Sequence, residues 1–221
     1  MTLAIAEIMR ANHYRDRFGF FIVYGESGIG KSVYAILALK ELGLDWKKHL
    51  FYRPDEFLAR VRSAYSRREK IKALVVDDAG LCLFAYNWNN RFVKAFVKFV
   101  NVARAVVSNI ILTTPNPSMV VKKLLSLDAY YVKVMKNGNA KEPYRRMAKG
   151  YKNIMLPSGS RMVKLVFEDD FQAYLPDDEY AEYLEYRYGY VGDAVDEMMR
   201  GLSELLTANN TIRNVTDSGN A

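Results

Sequence analysis

The chain has 221 residues, enough for one sizeable domain with a real core, and it carries a formal net charge of +7. Half of its residues are apolar, as in ordinary globular proteins, and no apolar run approaches the roughly 20 residues that a membrane span needs. The single cysteine excludes an internal disulfide and a cysteine-based metal cluster, and the two histidines argue against a zinc enzyme. The positive charge favours a polyanionic partner, with a generally basic surface as the alternative.

The first two-thirds of the chain alternates apolar runs with helical periodicity, which predicts an α/β domain with a mostly parallel central sheet. After a short amphipathic helix at the N-terminus, strands are predicted in FGFFIVYG, HLFYR, IKALVVDDAG, NIILTT and DAYYVKVM. Between them, helices are predicted from Lys31 to Leu42, from Pro54 to about Arg68, between Trp88 and Val107, and within PNPSMVVKKLLS. We assign residues 1–135 to this core.

The pattern changes after the last core strand. Alternating apolar residues on both sides of the Pro-Ser-Gly sequence at 157–159 predict a β-hairpin or meander. The acidic segment that follows has helical periodicity and is predicted to form two helices that break near Gly189 and Gly192. We expect residues 136–206 to pack on the core as an extension, and residues 207–221 to be disordered because they have little to bury.

The sequence GESGIGKS, at residues 25–32, fits the G-x-x-x-x-G-K-[ST] pattern of a phosphate-binding loop. Glycines let the loop aim its backbone N–H groups at phosphate oxygens, and the following helix adds the positive end of its dipole. A glycine-rich turn that matches by accident is the alternative, but the strand before and the helix after are the context that the motif requires. Lys31 is expected to contact the β- and γ-phosphates, and Ser32 to place its hydroxyl on Mg²⁺. The predicted nucleotide-binding residues are Gly25, Glu26, Ser27, Gly28, Ile29, Gly30, Lys31, Ser32 and Val33.

A second element, ALVVDDAG, brings Asp77 and Asp78 to the carboxyl end of a buried strand, where open α/β sheets bind ligands. With a phosphate loop upstream, Asp77 is predicted to hold Mg²⁺ together with Ser32, directly or through water. In the additional-strand class of P-loop ATPases, which this element resembles, a glutamate at the position of Asp78 usually polarises the attacking water. Two carboxylates at a solvated strand end are the alternative interpretation.

A third element, NIILTTPNP, ends a strand with polar side chains. Such a side chain can contact the γ-phosphate or the attacking water, and we expect Thr114 to take this sensor role ahead of Asn116 and Thr113. A capped loop is the alternative, because two prolines demand a turn at this point. The guanine-reading pattern Asn-Lys-x-Asp is absent from the sequence, which favours ATP as the nucleotide.

In their order and spacing, GESGIGKS, LVVDDAG and IILTTPNP together resemble the AAA+-type ATPases. Among these, the chain looks most like bacterial replication initiators and helicase loaders, whose second motif often reads Asp-Asp-x-Gly. The C-terminal FEDDFQAYLPDDEYAEYLEYRYGYV is similar to small ATPases that crenarchaeal viruses and plasmids encode. The resemblance implies ATP and Mg²⁺ as cofactors. The single cysteine and an N-terminus without the pattern of a signal peptide predict a cytoplasmic protein, in the host cytoplasm if the gene is viral.

The sequence departs from the AAA+ pattern after the last core strand. A β-rich segment stands where those proteins often carry a helical lid, and no arginine falls in a recognisable finger motif. A homo-oligomer in which a neighbour supplies a trans arginine is compatible with both departures.

The basic residues fall into two clusters that suit a nucleic acid. On the predicted helix between Trp88 and Val107, spacings of 3, 4, 3 and 3 residues put one cluster on a single stripe, which can follow a phosphate backbone or can be a solvated face. This basic stripe consists of Arg91, Lys94, Lys98, Asn101 and Arg104. The second, in the predicted hairpin, mixes cations with tyrosines, which suits single strands, and solvated turn residues are the alternative. This hairpin cluster consists of Arg145, Arg146, Lys149, Lys152 and Arg161, beside Tyr144 and Tyr151.

Together these patterns predict a Mg²⁺-dependent ATPase that acts on DNA in replication initiation, helicase loading or remodelling, for a virus or plasmid. DNA, a replication or packaging protein and further copies of the chain are the expected partners, and no membrane is expected. One alternative is an oligomeric DNA translocase or genome-packaging motor. Another is a nucleotide-gated adaptor that binds a protein and no DNA.

Overall fold

The computed structural model describes residues 2–80, 83, 90–155 and 160–218. The chain divides into two compact units, Met1–Tyr174 and Leu175–Ala221. The first unit contains the following helices and strands in chain order: α1 (Ala4–Tyr14), β1 (Gly19–Tyr24), α2 (Lys31–Glu41), β2 (Leu50–Phe51), α3 (Pro54–Ser66), β3 (Leu74–Val76), α4 (Arg91–Val102), β4 (Asn109–Thr114), α5 (Lys122–Leu125), β5 (Ala129–Lys136), β6 (Arg145–Met155) and β7 (Arg161–Gln172). The second unit is one helix, α6 (Asp177–Ser218).

The strands of the described chain form a single seven-stranded sheet in the order β2-β3-β4-β1-β5-β6-β7. The five strands from β2 to β5 in this order are mutually parallel, and β6 and β7 are antiparallel to their neighbours. This confirms the predicted α/β fold with a mostly parallel central sheet. Because β4 lies between β1 and β3, the strands that carry the glycine loop and the two aspartates are separated by a third strand.

The parallel strands are buried, and helices pack on them. All six residues of β4 are buried, as expected for a central strand of a parallel sheet that is covered on both faces. On one face, the Phe57 ring of α3 lies 6.1 Å from Phe51 and 5.6 Å from Phe96 of α4, between ring centroids. The first contact is edge-to-face and the second is tilted, and together they pack α3 against β2 and against α4. The basic stripe of α4 stays in solvent. Trp88, where the predicted helix starts, lies outside the described residues.

The predicted hairpin strands are present and extend the core sheet. Strand β6 pairs with β5 from Tyr130↔Lys152 to Lys136↔Arg146, and β7 pairs with β6 with an irregularity at Gly150/Tyr151. The Pro-Ser-Gly turn predicted at 157–159 lies outside the described residues. The extension expected from residue 136 onward therefore begins inside the same compact unit as the core.

Helix α6 differs from the sequence prediction of two helices. It continues through Gly189 and Gly192 without a break, so the predicted break was wrong. Each glycine costs a helix only about 1 kcal/mol relative to alanine, which a long helix tolerates. The helix also includes residues 207–218, for which the sequence predicts disorder.

No helix within the described ranges combines the length and the apolar character needed to cross a membrane.

A buried carboxylate on β7 anchors the N-terminal helix. Asp169 accepts hydrogen bonds from the backbone N–H of Ala4 (2.5 Å) and of Ile5 (3.2 Å), and from the Tyr34 hydroxyl of α2 (2.6 Å). Burial, followed by the negative charge of Asp169, raises the pKa of Tyr34 well above its usual value, so this hydroxyl stays a donor. The three bonds join α1, α2 and the edge strand of the sheet.

Replacing Asp169 with asparagine is expected to lower the free energy of unfolding by about 1.5–3 kcal/mol, because a charged acceptor with three donors becomes a neutral amide. Urea unfolding followed by circular dichroism measures the change. Glu7→Gln, which removes an exposed ion pair with Arg10, is the matched control and is expected to cost less than about 1 kcal/mol. Equal effects of the two substitutions would contradict the anchoring role of Asp169.

Candidate nucleotide-binding site

The glycine loop lies between β1 and α2, as the sequence predicts. Gly30 is the N-cap of α2 with a left-handed φ of 101°, a conformation that glycine adopts without a steric cost. Lys31, the first residue of α2, is almost buried, and its Nζ donates to the carbonyl oxygens of Gly25 (3.0 Å) and Glu26 (2.8 Å). The ammonium therefore lies against the loop, beside the N-terminus of a helix that favours anions.

Three side chains from three segments meet next to this loop. Ser32 Oγ donates to Asp77 Oδ1 at 2.9 Å, and the Thr113 hydroxyl donates to the same oxygen. Asp77 follows β3, Thr113 lies in β4, and Ser32 is in the first turn of α2. The strand order brings these positions together because the carboxyl ends of neighbouring parallel strands share one edge of the sheet.

The second carboxylate oxygen of Asp77 has properties that suit a cation. Asp77 is only 1% exposed, and its Oδ2 has no hydrogen-bond partner among the described residues. A buried carboxylate oxygen without a donor is costly unless a cation satisfies it. Carboxylate and hydroxyl oxygens are ligands that Mg²⁺ accepts, so Asp77 and Ser32 fit the ion that the sequence predicts for them.

Asp78 occupies a strained backbone position directly after Asp77. Its φ is +47°, which is uncommon for a residue other than glycine, and its N–H donates to Thr113 Oγ1 at 2.9 Å. Strain of this kind persists where the surrounding structure enforces it, and it concentrates at functional sites. The Asp78 side chain is half-buried, whereas that of Asp77 is buried.

Of the polar residues at the end of β4, Thr113 is the one that contacts the aspartate. The sequence ranks Thr114 first for the sensor role, but the Thr114 hydroxyl donates instead to the backbone oxygen of Asn116 at 3.0 Å. Successive side chains of a strand point to opposite faces, so a shift of one residue changes which neighbour is reached. Both threonines are fully buried.

The β6–β7 hairpin contacts the glycine loop. The sequence pattern does not predict this contact. Arg146 Nε of β6 donates to the backbone oxygen of Ile29 at 3.1 Å, and its Nη1 donates to Pro143 and Arg145 carbonyls. A Cβ at Gly30 would lie 2.6 Å from the Ala173 Cβ, just after β7. Arg146, predicted as a DNA contact, is thus a support of the phosphate loop.

Three further hairpin cations form ion pairs within the protein. Arg145 bonds to Asp170 and Glu142, Lys149 lies 2.6 Å from Glu168, and Lys152 lies 2.8 Å from Asp128. Hydrogen bonding to Glu168 raises the pKa of Lys149. These carboxylates neutralise the charges that the sequence predicts for a nucleic acid.

The basic stripe lies on α4 and the turn after it, is called the α4 stripe below, and is exposed as predicted. Its two ends are Arg91, the first residue of α4, and Arg104, in the 3₁₀ turn that follows the helix. Each of the predicted positions from 91 to 104 in this stripe lies on the surface. The stripe therefore presents accessible cations, in contrast to the hairpin cluster.

No protein-family model matches the sequence. Proteins of two archaeal viruses are similar to it. Uncharacterized protein B-251 of Sulfolobus spindle-shape virus 1 is 28% identical over 225 residues, which cover 91% of this chain and 85% of that protein. Uncharacterized protein ORF286 of Acidianus two-tailed virus is 35% identical over 105 residues, which cover 45% of this chain and 37% of that protein.

Two solved structures show weaker likeness. The N-terminal domain of zonular occludens toxin from Neisseria meningitidis matches with a TM-score of 0.41 and 14% identity, over 69% of this chain and 95% of that chain. The genome packaging NTPase B204 from Sulfolobus turreted icosahedral virus 2, in complex with AMPPCP, matches with a TM-score of 0.41 and 11% identity. The match covers 69% of this chain and 99% of that chain. TM-scores of this size do not establish a shared fold. The assignment of the fold therefore depends on the strand order and the glycine loop of this chain.

Replacing Arg146 with methionine is expected to weaken nucleotide binding roughly tenfold, because a charge-assisted hydrogen bond to the loop is lost. Titration with a fluorescent ATP analogue measures the dissociation constant. Lys149→Met is the matched control, since Lys149 lies on the same strand and pairs with Glu168 instead of the loop. Unchanged affinity in Arg146→Met, or an equal loss in both variants, would contradict the supporting role.

Proposed function

We propose that this protein is a Mg²⁺-dependent ATP hydrolase. The observation that carries the proposal is the 2.9 Å hydrogen bond from Ser32 to Asp77, which joins the glycine loop to a buried carboxylate with one unsatisfied oxygen. A glycine-rich turn without a nucleotide would not require an acid buried beside it. This pairing is the arrangement in which P-loop enzymes hold a metal ion next to phosphates.

We assign each residue of the site a separate role in hydrolysis. The loop amides and Lys31 bind phosphate oxygens, and Lys31 then exchanges its bonds to the Gly25 and Glu26 carbonyls for bonds to phosphate. Ser32 and Asp77 hold Mg²⁺, which when bound neutralises charge on the phosphates. Asp78 orients the attacking water. Thr113, whose hydroxyl donates to Asp77, is the threonine that we assign to the γ-phosphate.

Within the AAA+ resemblance, the order of the three motifs and the position of β4 between β1 and β3 support the proposal. The hairpin takes the place of the helical lid in the described chain. The similarity to proteins of archaeal viruses supports a viral role, and DNA is the partner that we propose. The exposed α4 stripe is the surface that we assign to DNA.

A genome-packaging or translocating motor is the second candidate. Packaging is the function in the name of the B204 NTPase, and an exposed basic helix also suits a motor that follows a phosphate backbone. Strong stimulation of ATP turnover by DNA would favour the motor over the replication factor.

Two substitutions test the hydrolytic site. Lys31→Ala is expected to abolish measurable ATP binding and turnover, because it removes the cation that contacts the phosphates. Asp78→Asn is expected to retain binding and to lower kcat by roughly 10²- to 10⁴-fold, as loss of a water-orienting base does. A phosphate-release assay and nucleotide titration separate these effects, and normal turnover in Lys31→Ala would refute the site.

The DNA partner is tested by turnover and binding with single- and double-stranded DNA over a range of salt concentrations. We expect binding that weakens as salt rises, and a salt slope that falls by about 1 in Arg91→Ala, because one phosphate contact is lost. Arg62→Ala, an exposed cation on α3, is the control and is expected to leave the slope unchanged. Absence of DNA binding in the wild type would support the protein-adaptor alternative.

A further inference from the structure

A groove with an apolar floor and a cationic rim lies beside the α4 stripe. This lysine-rimmed groove encloses about 540 Å³ between α4 and the segment at 121–123, which includes the start of α5. Three valines form its floor, of which Val93 and Val121 are buried and Val97 is half-buried. The rim consists of four exposed lysines: Lys94, Lys98, Lys122 and Lys123. No carboxylate lines the groove within the part of the chain that the structure describes.

The groove belongs to a stretch of the sequence that has no acidic residue. Residues 79–127 include six basic residues and not one aspartate or glutamate, whereas the whole chain has a formal net charge of +7. The β6–β7 hairpin differs, because Arg145, Lys149 and Lys152 each pair with a carboxylate. The positive charge of residues 79–127 is not balanced from within this stretch, and it favours an anionic partner.

An apolar floor beneath a cationic rim suits a polyanion that also exposes flat rings. Duplex DNA would offer phosphates to the lysines, but its bases stay stacked in the interior and do not reach the valines. In a single strand the unstacked bases can turn away from the backbone, so one nucleotide can place its phosphate on the rim and its base on the floor. Apolar side chains do contact bases, for example at the C5-methyl group of thymine.

The groove is continuous with the surface that we assign to DNA. Lys94 and Lys98 belong both to its rim and to the α4 stripe, and Val93 and Val97 lie beside them on the same helix. Each pair is one helical turn apart, about 6 Å along the axis. Lysines and valines thus run in two parallel rows, which matches a strand that carries phosphates on one side and bases on the other. An acidic amphipathic peptide is the competing occupant, but it does not require a cationic row that continues along the whole α4 stripe.

We propose that the lysine-rimmed groove binds single-stranded DNA, with phosphates on the lysines and bases on the valine floor. The inference rests on the DNA partner proposed above, and it specifies the form of that DNA. It also adds Lys122 and Lys123, which lie outside α4, to the contacting residues. ATP hydrolysis at the glycine loop is not required for this binding.

Fluorescence anisotropy with three labelled probes tests the form of the DNA. The probes are an oligothymidylate of roughly 16 nucleotides, within the site sizes of small single-strand-binding folds, a duplex of equal length, and an abasic strand of equal length that keeps the phosphates and lacks the bases. The wild type is expected to bind the oligothymidylate roughly tenfold more tightly than the abasic strand, because only the former places bases on the floor. It is also expected to bind the oligothymidylate more tightly than the duplex.

The substitution Val97→Asn tests the apolar floor. It is expected to reduce the preference for oligothymidylate over the abasic strand roughly fivefold, because one apolar contact with a base is lost. Affinity for the abasic strand is expected to stay unchanged. Val102→Asn is the matched control, since Val102 is the last residue of the same helix, is 69% exposed and does not line the groove. Circular dichroism checks that both variants are folded.

The double substitution Lys122→Gln with Lys123→Gln tests the rim on the side of α5. The salt slope for oligothymidylate binding is expected to fall by about 1.4, since each phosphate contact of a single strand contributes about 0.7. Both lysines are exposed, so the fold is expected to be unaffected. The control is Lys47→Gln with Lys48→Gln, two adjacent exposed lysines at a separate turn, and it is expected to leave the slope unchanged.

The possible failures have different meanings. If none of the three probes binds, the DNA partner itself is refuted, and this inference with it. Duplex binding as tight as oligothymidylate binding, or groove variants that behave like their controls, would overturn the single-strand groove and leave the DNA partner in place. If the Lys122 and Lys123 substitutions change the oligomeric state in sedimentation velocity but not the salt slope, the groove binds a protein, which also overturns the inference.

Discussion

The carboxylate of Asp77 is the group on which the arrangement of this protein depends. A charged oxygen that is removed from water needs donors, and here the hydroxyls of Ser32 and Thr113 supply them to one oxygen. These donors come from the helix after β1 and from β4, so both strands must end beside β3. The observed order, in which β4 lies between β1 and β3, meets this requirement.

The β6–β7 hairpin extends the sheet and also holds the glycine loop and two helices in place. Its first strand reaches the loop through Arg146, and its last strand holds α1 and α2 through Asp169. Three of its cations, Arg145, Lys149 and Lys152, are paired with carboxylates. Exposed cations are present around α4 and α5, on the segments that follow the two strands of the site. A partner that binds there contacts elements directly connected to Asp77 and Thr113.

Local patterns in the sequence predicted the parts of the structure that depend on local physics. The glycine loop, α2 and β4 appear where the motif and the apolar runs place them, because turns, caps and buried strands are short-range features. Contacts between distant residues could not be predicted in this way. From the sequence we interpreted Arg145 and Lys149 as cations available to a nucleic acid, because their partners Asp170 and Glu168 are 25 and 19 residues away along the chain. The choice between Thr113 and Thr114 depended on strand register, which the sequence alone does not specify.

The close approach of Gly30 to Ala173 limits how the chain can vary. Position 30 must remain glycine for its backbone angle and also because the end of β7 leaves no room for a methyl group. By the same geometry, a larger residue at 173 would press on the loop from the other side. Two positions 143 residues apart are thus under one joint steric restriction. A fragment that ends at residue 135 would lack Ala173 and its contact with the glycine loop. The shortest fragment that keeps this contact extends to the end of the first compact unit.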